Sequence, residues 1–308
     1  MYHSNVDTLN EINYNPIADK QQESKMRNNN FVDVAFDAET IRSQDQDFIN
    51  DLKYKAAGVK VDPGSKTKDD LISDILKLQD NPLEAAQLKG MKVDGLKEIW
   101  INGYKDIFVA NEFEKLHAKT SFSAADGGEI VSMACKVINS GQKTIIKYRA
   151  MNSDVSEFEI LKQFFDYFDK LQDWASSEGG KVVRFVGANI YGFDFKFLAQ
   201  RAMILGVPFP KFALMSSEYD TIRYFDVLRA FNLGDRKSEL VSLSRLCRIL
   251  GVESPKVDDQ GEIHGGMVWD IWSTGGEEGA ARIAAYNGRD VDVLEPIFNK
   301  VRQVMGRQ

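Results

Sequence analysis

Hydrophobic and polar residues alternate along residues 31–36, which is the pattern of a β-strand with one buried face. Further strand patterns follow at residues 128–138 and 143–148, and a short one at residues 221–228. Residues 182–186 form a nearly continuous apolar run, which predicts a strand covered on both faces. The sequence therefore predicts a sheet with a buried central strand.

Helical spacing of apolar residues fills the segments between the strands. Large apolar residues recur every three or four positions over residues 156–172, which predicts an amphipathic helix packed on the sheet. Helices are also predicted at residues 193–205, 239–250 and 277–303. Because strands and helices alternate, we expect an α/β fold with a mixed sheet flanked by helices. The block at about residues 45–120 has helical spacing and predicts a mostly helical insertion after the first strand.

Residues 1–30 differ from the rest of the chain because they are polar and rich in Asn, Gln, Asp and Lys. Such a composition predicts a flexible N-terminal arm, followed by one domain over residues 31–308 that includes the insertion. The sequence has no run of eighteen apolar residues and no basic start followed by an apolar stretch. We therefore expect a cytoplasmic protein without a membrane partner.

Composition narrows the possible chemistry. The 308 residues include 46 acidic and 39 basic side chains, a net charge of −7, which disfavours a protein that coats duplex DNA electrostatically. Two cysteines and three scattered histidines exclude a disulfide framework, a four-cysteine zinc site and a His-x-x-x-His metalloprotease helix. Neither a phosphate-cradling Gly-rich loop ending in Lys-Ser/Thr nor a Gly-x-Ser-x-Gly elbow is present. The carboxylates remain as the candidate catalytic groups.

The first carboxylate pair, Asp37 and Glu39, directly follows the strand predicted at residues 31–36. Side chains alternate along an extended segment, so both acids are expected on one face. Two carboxylates on a rigid strand suit Mg²⁺ or Mn²⁺. The pair alone is also compatible with a solvated strand end, since acid-x-acid triplets are common in an acidic chain.

Two further motifs place single acids on predicted helices. Asp194 lies in the first turn of the helix after the apolar run, among large apolar neighbours, and we expect Asn189 to cap that helix. Tyr286 and Asp290 are four residues apart on the last helix and share one face, whereas Asp292 points away from it. Asp194 could simply complement the helix dipole, and Asp290 could be an exposed acid beside a core tyrosine.

The order of these motifs carries a family resemblance. Phe36-Asp37-Ala-Glu39-Thr40, Asn189-Ile-Tyr-Gly-Phe-Asp194 and Tyr286-x-x-x-Asp290 resemble the three motifs of the DEDD 3′–5′ exonuclease superfamily. That superfamily has a ribonuclease H-like fold, and a tyrosine in the last motif marks its tyrosine-type subclass. The chain looks most like stand-alone exonucleases related to the proofreading domain of family B DNA polymerases. The resemblance covers about residues 30–40 and 120–305, and it does not cover the block at 45–120.

The resemblance implies a mechanism and a substrate. Two divalent ions, Mg²⁺ or Mn²⁺, would be held by four acids, with the first-motif aspartate bridging both ions. Tyr286 would orient the attacking water without being a metal ligand. The expected substrate is single-stranded DNA with a free 3′ end. The residues expected to act are Asp37, Glu39, Asp194, Tyr286 and Asp290.

Two alternatives stay open at the level of sequence. The same acids could cut RNA, because discrimination depends on contacts to the 2′-hydroxyl that the sequence does not locate. A non-catalytic module that binds nucleic-acid ends would keep the fold, although loss of a metal ligand would be expected in such a module. The sequence leaves open which protein partners, such as a polymerase or helicase, the chain has.

Overall fold

A computed structural model describes residues 30–78, 81–214, 222–233 and 240–305. The predicted arm at residues 1–30 lies outside the described residues except for Asn30. The chain divides into two compact units, one formed by residues up to Ile41 and from Glu129 onward, the other by Arg42–Gly128. We call them the sheet unit and the helical unit.

The sheet unit contains a five-stranded mixed sheet with the strand order β3-β2-β1-β4-β5. Strand β1 is antiparallel to β2 and parallel to β4, and a separate two-stranded hairpin lies nearer the C-terminus. The predicted α/β class with a mixed sheet is confirmed, and the topology is compatible with a ribonuclease H-like fold. The strands are β1 (Phe31–Ile41), β2 (Glu129–Val137), β3 (Ile145–Tyr148), β4 (Val182–Gly187), β5 (Tyr224–Asp226), β6 (Val257–Asp258) and β7 (Gly261–Glu262).

Four of the described helices lie in the helical unit, as predicted for the block after the first strand. They are α1 (Gln46–Ala57), α2 (Lys68–Ile75), α3 (Ala85–Gly90) and α4 (Val93–Thr120). Five more belong to the sheet unit: α5 (Glu157–Ser177), α6 (Asp194–Leu205), α7 (Val227–Phe231), α8 (Leu243–Leu250) and α9 (Val268–Met305). None of the described helices is long and apolar enough to cross a membrane.

The helical unit has its own apolar core. Leu71 and Ile75 of α2, Leu88 of α3, and Leu96 and Trp100 of α4 pack together and are buried. Local signals fix the helix starts: the Asp45 carboxylate caps α1, and a reciprocal Thr67–Asp70 capping box starts α2. The capping residues and the helical spacing of the apolar core residues are both local features of the sequence. They explain why this block could be predicted as helical.

The two faces of the sheet carry different partners. Phe36 of β1 makes edge contacts with the rings of Phe164 and Phe168 on α5, at centroid distances of 6.5 and 5.9 Å. Ala35, one residue earlier, packs on the opposite face in a core cluster that includes Leu294 of α9. Because side chains alternate along a strand, Asp37 and Glu39 share the Ala35 face and point towards the α9 side.

Three segment boundaries differ from the sequence-based expectation. β1 continues to Ile41, five residues past its predicted end, because it keeps pairing with β2 across the acidic positions. The short strand predicted at residues 221–228 ends at Asp226, whose carboxylate accepts hydrogen bonds from the first amides of α7 and starts that helix. The last helix begins at Val268, nine residues earlier than predicted, and is interrupted at Gly276.

A buried ion pair ties α5, α6 and β2 together. Arg201 of α6 donates from Nε to the Glu157 carboxylate at 2.8 Å, and a second guanidinium nitrogen contacts the same group. Glu157 Oε1 also accepts the backbone N–H of Ile130 at 2.8 Å. Both charged residues are buried and have lost their hydration. The ion pair compensates each of them for that loss.

Arg201→Met is expected to lower the free energy of unfolding by about 3–5 kcal/mol, because it leaves a buried carboxylate without its cation. Urea unfolding followed by circular dichroism measures this loss. Lys162→Met is the matched control, since it breaks an exposed pair with Asp166 on α5 and should change little. Equal effects of the two substitutions would contradict the assigned role of Arg201.

Candidate active site

Asp37 and Glu39 lie inside β1 rather than after it. Their register partners on β2 are Ala134 and Ser132, and a bulge follows directly between Glu39 and Thr40. Glu39 is buried, whereas Asp37 is partly exposed. The strand therefore presents one sheltered and one accessible carboxylate on the face that α9 covers.

Asp290 of α9 completes a compact group with this pair. One carboxylate oxygen each from Asp37, Glu39 and Asp290 lies within 4.8 Å of the others. The three positions are separated by up to 253 residues of sequence (290 − 37), so only the fold brings them together. This is the donor set and spacing in which a divalent cation can be shared by hard oxygen ligands.

Asp194 borders this group without being part of it. Its side chain accepts a hydrogen bond from the Ala38 backbone N–H, between the two acids of β1. Its charge raises the pKa of both Asp37 and Glu39. All four predicted acids thus belong to one electrostatic cluster, with Asp194 on its rim.

The turn that delivers Asp194 differs from the expected one. Asn189 does not cap α6: it adopts a left-handed conformation with φ of 61°, and its carbonyl accepts the N–H groups of Gly192 and Phe193. The cap position is occupied by Phe193, which makes no side-chain capping bond. A Cβ at position 192 would lie 2.4 Å from the Asn189 side-chain oxygen, so a larger residue there would displace the Asn189 side chain.

Asp226 holds the same turn from the neighbouring strand. Its Oδ1 accepts the N–H of Asn189 at 3.2 Å as well as the N–H of Leu228 at 3.0 Å. The second oxygen, Oδ2, is buried without a hydrogen-bond partner in the described part of the chain. The negative charge of Asp226 contributes to raising the pKa of Asp194. Sequence analysis treated this residue only as part of a strand, although an aspartate before a short helix was a detectable capping signal.

Tyr286 and Asp290 face the cluster, as their spacing predicted. Tyr286 is 3% exposed, and its hydroxyl donates a hydrogen bond to the Asp290 carboxylate. Asp292 points elsewhere and accepts a hydrogen bond from Thr144 at 2.6 Å. The structure therefore separates the two aspartates of α9 in the way that helical geometry requires.

The residues between Tyr286 and Asp290 dock α9 onto the sheet. Asn287 is fully buried and donates from Nδ2 to the carbonyl of Ser132, at a distance of 3.4 Å; Ser132 is the register partner of Glu39. A Cβ on Gly288 would lie 2.6 Å from the end of the Ile146 side chain of β3, so a larger residue would require that side chain to move. The whole pentapeptide thus fixes the height of α9 above the acids of β1.

Lys256 is a cation of the site that sequence analysis missed. It is half-buried, and its charge lowers the pKa of both Glu39 and Asp290, in opposition to the effect of burial. Its carbonyl accepts the N–H of Ile263 at 2.9 Å, across the base of the β6–β7 hairpin. A lysine before a two-residue strand carries no local signal of such a position.

Two arginines of α9 hold the Lys256 segment in place. Arg289 donates from Nε to the carbonyl of Pro255 at 2.9 Å. The Arg282 guanidinium donates two hydrogen bonds, of 2.9 and 3.1 Å, to the Asp258 carboxylate. Positions 282, 286 and 289 recur at helical spacing, so the helix face that presents Tyr286 also anchors the lysine.

Burial and mutual repulsion hold protons on these acids. Burial, opposed by the Tyr286 hydrogen bond, raises the pKa of Asp290 to about 6. Burial, with backbone hydrogen bonds opposing it, raises the pKa of Asp194 to about 7. The pKa of Asp37 and that of Glu39 are also raised, first by burial and then by the other acids, and burial raises the pKa of the Tyr286 phenol. A protein with this cluster has a strong affinity for positive charge, whether protons or metal ions.

The residues present fit a divalent metal ion. Every donor in the cluster is a carboxylate oxygen, and the Oδ1 atom of Asp290 is buried without a hydrogen-bond partner among the described residues. An unpartnered buried carboxylate oxygen is costly unless a cation coordinates it. Mg²⁺ and Mn²⁺ favour such all-oxygen sites.

Comparison with protein families identifies the relatives of the sheet unit. A family described as predicted 3′–5′ exonucleases related to the exonuclease domain of PolB matches residues 120–306, more than half of the chain. The chain belongs to this exonuclease family. 3′–5′ exonuclease activity is what is predicted for its members. A comparison with curated proteins finds no match.

The family match and the structure contribute different parts of the site. Within the exonuclease family match lie Asp194, Tyr286 and Asp290, whereas Asp37 and Glu39 precede it. The structure supplies the missing connection, because it brings the oxygens of Asp37 and Glu39 to Asp290. The first strand therefore contributes two of the three clustered carboxylates, and the matched region contributes the third.

In the absence of metal, the melting temperature is expected to fall as the pH rises from 5 to 8. The pKa values of about 7 for Asp194 and 6 for Asp290 lie above those of an unfolded chain, so the folded protein binds more protons and loses stability as it releases them. Mn²⁺ should raise the melting temperature more at pH 8 than at pH 5.

Thermal unfolding in EDTA and in Mn²⁺ across this pH range measures both effects. Asp194→Asn is the diagnostic variant, because removing one titrating acid should flatten the decline in EDTA. A melting temperature that is constant or rises with pH in EDTA would show that these acids do not carry the expected protons.

Proposed function

We propose that this protein is a metal-dependent 3′–5′ exonuclease of the tyrosine-type DEDD subclass that removes nucleotides from the 3′ end of single-stranded DNA. The observation that supports it most is the three-carboxylate group of Asp37, Glu39 and Asp290, within 4.8 Å, in a chain of an exonuclease family. Tyr286 in place of a histidine favours the tyrosine subclass. We further propose that residues 31–308 act as one catalytic domain that carries the helical insertion.

The acids are proposed to hold two ions in two overlapping sets. Asp37, Glu39 and Asp290 would hold one ion, while Asp194 and Asp37 would hold the other. Bound Mg²⁺ or Mn²⁺ would supply acidity to a water molecule and positive charge to the phosphate in the transition state. The partial exposure of Asp37 suits the residue that must face both ions and the substrate.

Tyr286 and Lys256 are proposed to act on the substrate side. The Tyr286 hydroxyl, held by Asp290, can donate to or accept from a water molecule and fix its direction of attack. The Lys256 ammonium adds the positive charge that a phosphodiester needs next to four acids. Its anchoring to α9 keeps that charge near Asp290.

A non-catalytic end-binding module agrees less well with this geometry. Such a module has no use for four clustered acids, which repel a phosphate unless cations intervene. Cleavage of RNA uses the same acids, and the choice between DNA and RNA is left to the assay. The assay therefore includes both nucleic acids.

Wild-type protein is expected to shorten 5′-labelled single-stranded DNA from its 3′ end in Mg²⁺ or Mn²⁺ and to do nothing in EDTA. Asp37→Ala should abolish this activity without loss of melting temperature, because it removes the shared ligand but also relieves repulsion. Denaturing gels with matched DNA and RNA of one sequence measure the activity.

Asp292→Ala is the matched control, since Asp292 lies on α9 but bonds to Thr144, away from the cluster. It should retain nearly full activity. A rate in Asp37→Ala above about one-tenth of the wild-type rate would be too large for loss of a ligand shared by two ions. It would contradict the assignment of Asp37 as that ligand.

Tyr286→Phe is expected to slow hydrolysis by about 10- to 1000-fold, because it removes one positioning hydrogen bond and leaves the metal ligands in place. Isothermal titration with Mn²⁺ should give nearly unchanged affinity. Loss of Mn²⁺ binding together with activity would mean that the phenol has a different role from the one proposed.

A further inference from the structure

A surface depression lies on the sheet unit, outside the carboxylate cluster. It is a cavity of about 520 Å³ formed around helix α8 and the segment that follows it. Three serines, two arginines and one valine line it, so most of its side chains can donate hydrogen bonds to an anion. The lining residues are Ser242, Ser244, Arg245, Arg248, Val252 and Ser254.

The two guanidinium groups have no counter-charge in the described part of the chain. Arg245 and Arg248 are three positions apart on α8, so they project from neighbouring positions on one side of the helix. Neither takes part in an ion pair among the described residues, and both are exposed. In a chain with a net charge of −7, two exposed arginines that line one depression and form no ion pair with a described residue mark a local positive site.

The hydroxyl groups of the cavity add donors. Ser242 caps α8 and accepts the N–H of Arg245 at 3.2 Å, leaving its own hydroxyl proton free to donate. The Ser244 hydroxyl oxygen is buried and has no hydrogen-bond partner among the described residues. Such a buried donor is costly until a ligand accepts its proton.

The cavity lies close to the carboxylate cluster along the chain. Ser254 lines it, and Lys256, only two residues later, acts on Glu39 and Asp290. Two residues span at most about 7 Å between Cα atoms. Cys247 of the same helix has a pKa of about 11, raised by burial and then by the charge of Asp290, which agrees with a position of α8 beside the site.

We propose that Arg245, Arg248 and the serines around them bind a backbone phosphate of the substrate strand, one that is not being cleaved. This inference rests on the proposed exonuclease function and adds a strand-binding subsite to it. Guanidinium groups match the geometry of phosphate oxygens, and hydroxyl groups with a helix N-terminus complete an anion site. The Lys256 segment then connects the subsite with the cleavage centre.

The subsite has a kinetic consequence. A contact to a phosphate away from the reacting bond holds substrate and transition state equally, so its loss should raise KM and leave kcat nearly unchanged. For a substrate that lacks this second phosphate, loss of the arginines should change neither KM nor kcat. These two expectations separate strand binding from a structural role of the arginines.

The test compares wild type with the double variant Arg245→Gln/Arg248→Gln. For single-stranded DNA of roughly ten nucleotides, the variant should show a KM raised by about tenfold or more, with kcat within about twofold. Cleavage of the p-nitrophenyl ester of thymidine 5′-monophosphate, which has a single phosphodiester, should be unchanged. Binding of the oligonucleotide in Ca²⁺ should lose about 0.7 from its log–log salt slope, as expected for one phosphate contact.

Lys162→Gln/Lys170→Gln is the matched control, because it removes two charges from the exposed side of α5, on the sheet face opposite α9. It should leave KM and the salt slope unchanged. A double arginine variant with wild-type KM and slope would overturn the proposal, as would equal effects of both double variants. A third outcome is that inorganic phosphate inhibits the wild type but not the arginine variant, while KM and the salt slope are the same for both. The cavity would then bind free phosphate, and the proposal would be wrong.

The binding measurement keeps the two proposals distinguishable. If wild-type protein cleaved no substrate, the exonuclease function would fail, while the salt slope would still report on the subsite. If cleavage occurred and the arginine variant bound and reacted normally, the subsite alone would fail. Substitution by lysine at both positions should restore part of the affinity, since it keeps the charge but loses the forked hydrogen bonds.

Discussion

Repulsion among carboxylates is the constraint on which this structure depends. Two charged groups at the outer limit of the observed spacing, 4.8 Å, repel each other by about 3 kcal/mol in a partly buried environment. The chain maintains such contacts among several acids at once, so the surrounding scaffold must supply the energy that opposes their separation. Protons, Lys256 and the proposed metal ions are alternative means of relieving the same strain.

The scaffold solves this problem by fixing each acid to a different rigid element. β1 pairs with β4 over Phe31–Ala35 and with β2 over Val34–Ile41, so Asp37 and Glu39 cannot move apart without disturbing the sheet. α9 is held by a core cluster and by the bond from Asn287 to β2. Asp194 follows a tight turn that Asp226 of β5 holds by a hydrogen bond to the N–H of Asn189. The acids therefore meet because of packing elsewhere, and not because of attraction between them.

Some positions in the site follow from local strand and helix geometry, and others depend on distant packing. This difference explains which parts of the site the sequence could predict. Alternation in β1 and the i, i+4 spacing in α9 are local rules, so the facing of Asp37, Glu39, Tyr286 and Asp290 followed from them. The end of β1 was misplaced because charged residues normally mark a strand end, whereas here they continue a paired strand. Lys256 escaped detection because its place depends on bonds from distant Arg289, which no local pattern encodes.

Gly276 has a consequence for how the family can vary. It has φ of 53° and ψ of −140°, so α9 consists of two helical segments joined at one residue. The first segment packs Trp272 against Ile41 and Val131, and the second bears Tyr286 and Asp290. An insertion before Gly276 can be absorbed at this joint without altering the phase of the second segment. A single residue inserted between Gly276 and Tyr286 would instead rotate Tyr286 and Asp290 by about 100° around the helix axis, so length variation among relatives should concentrate upstream of the joint.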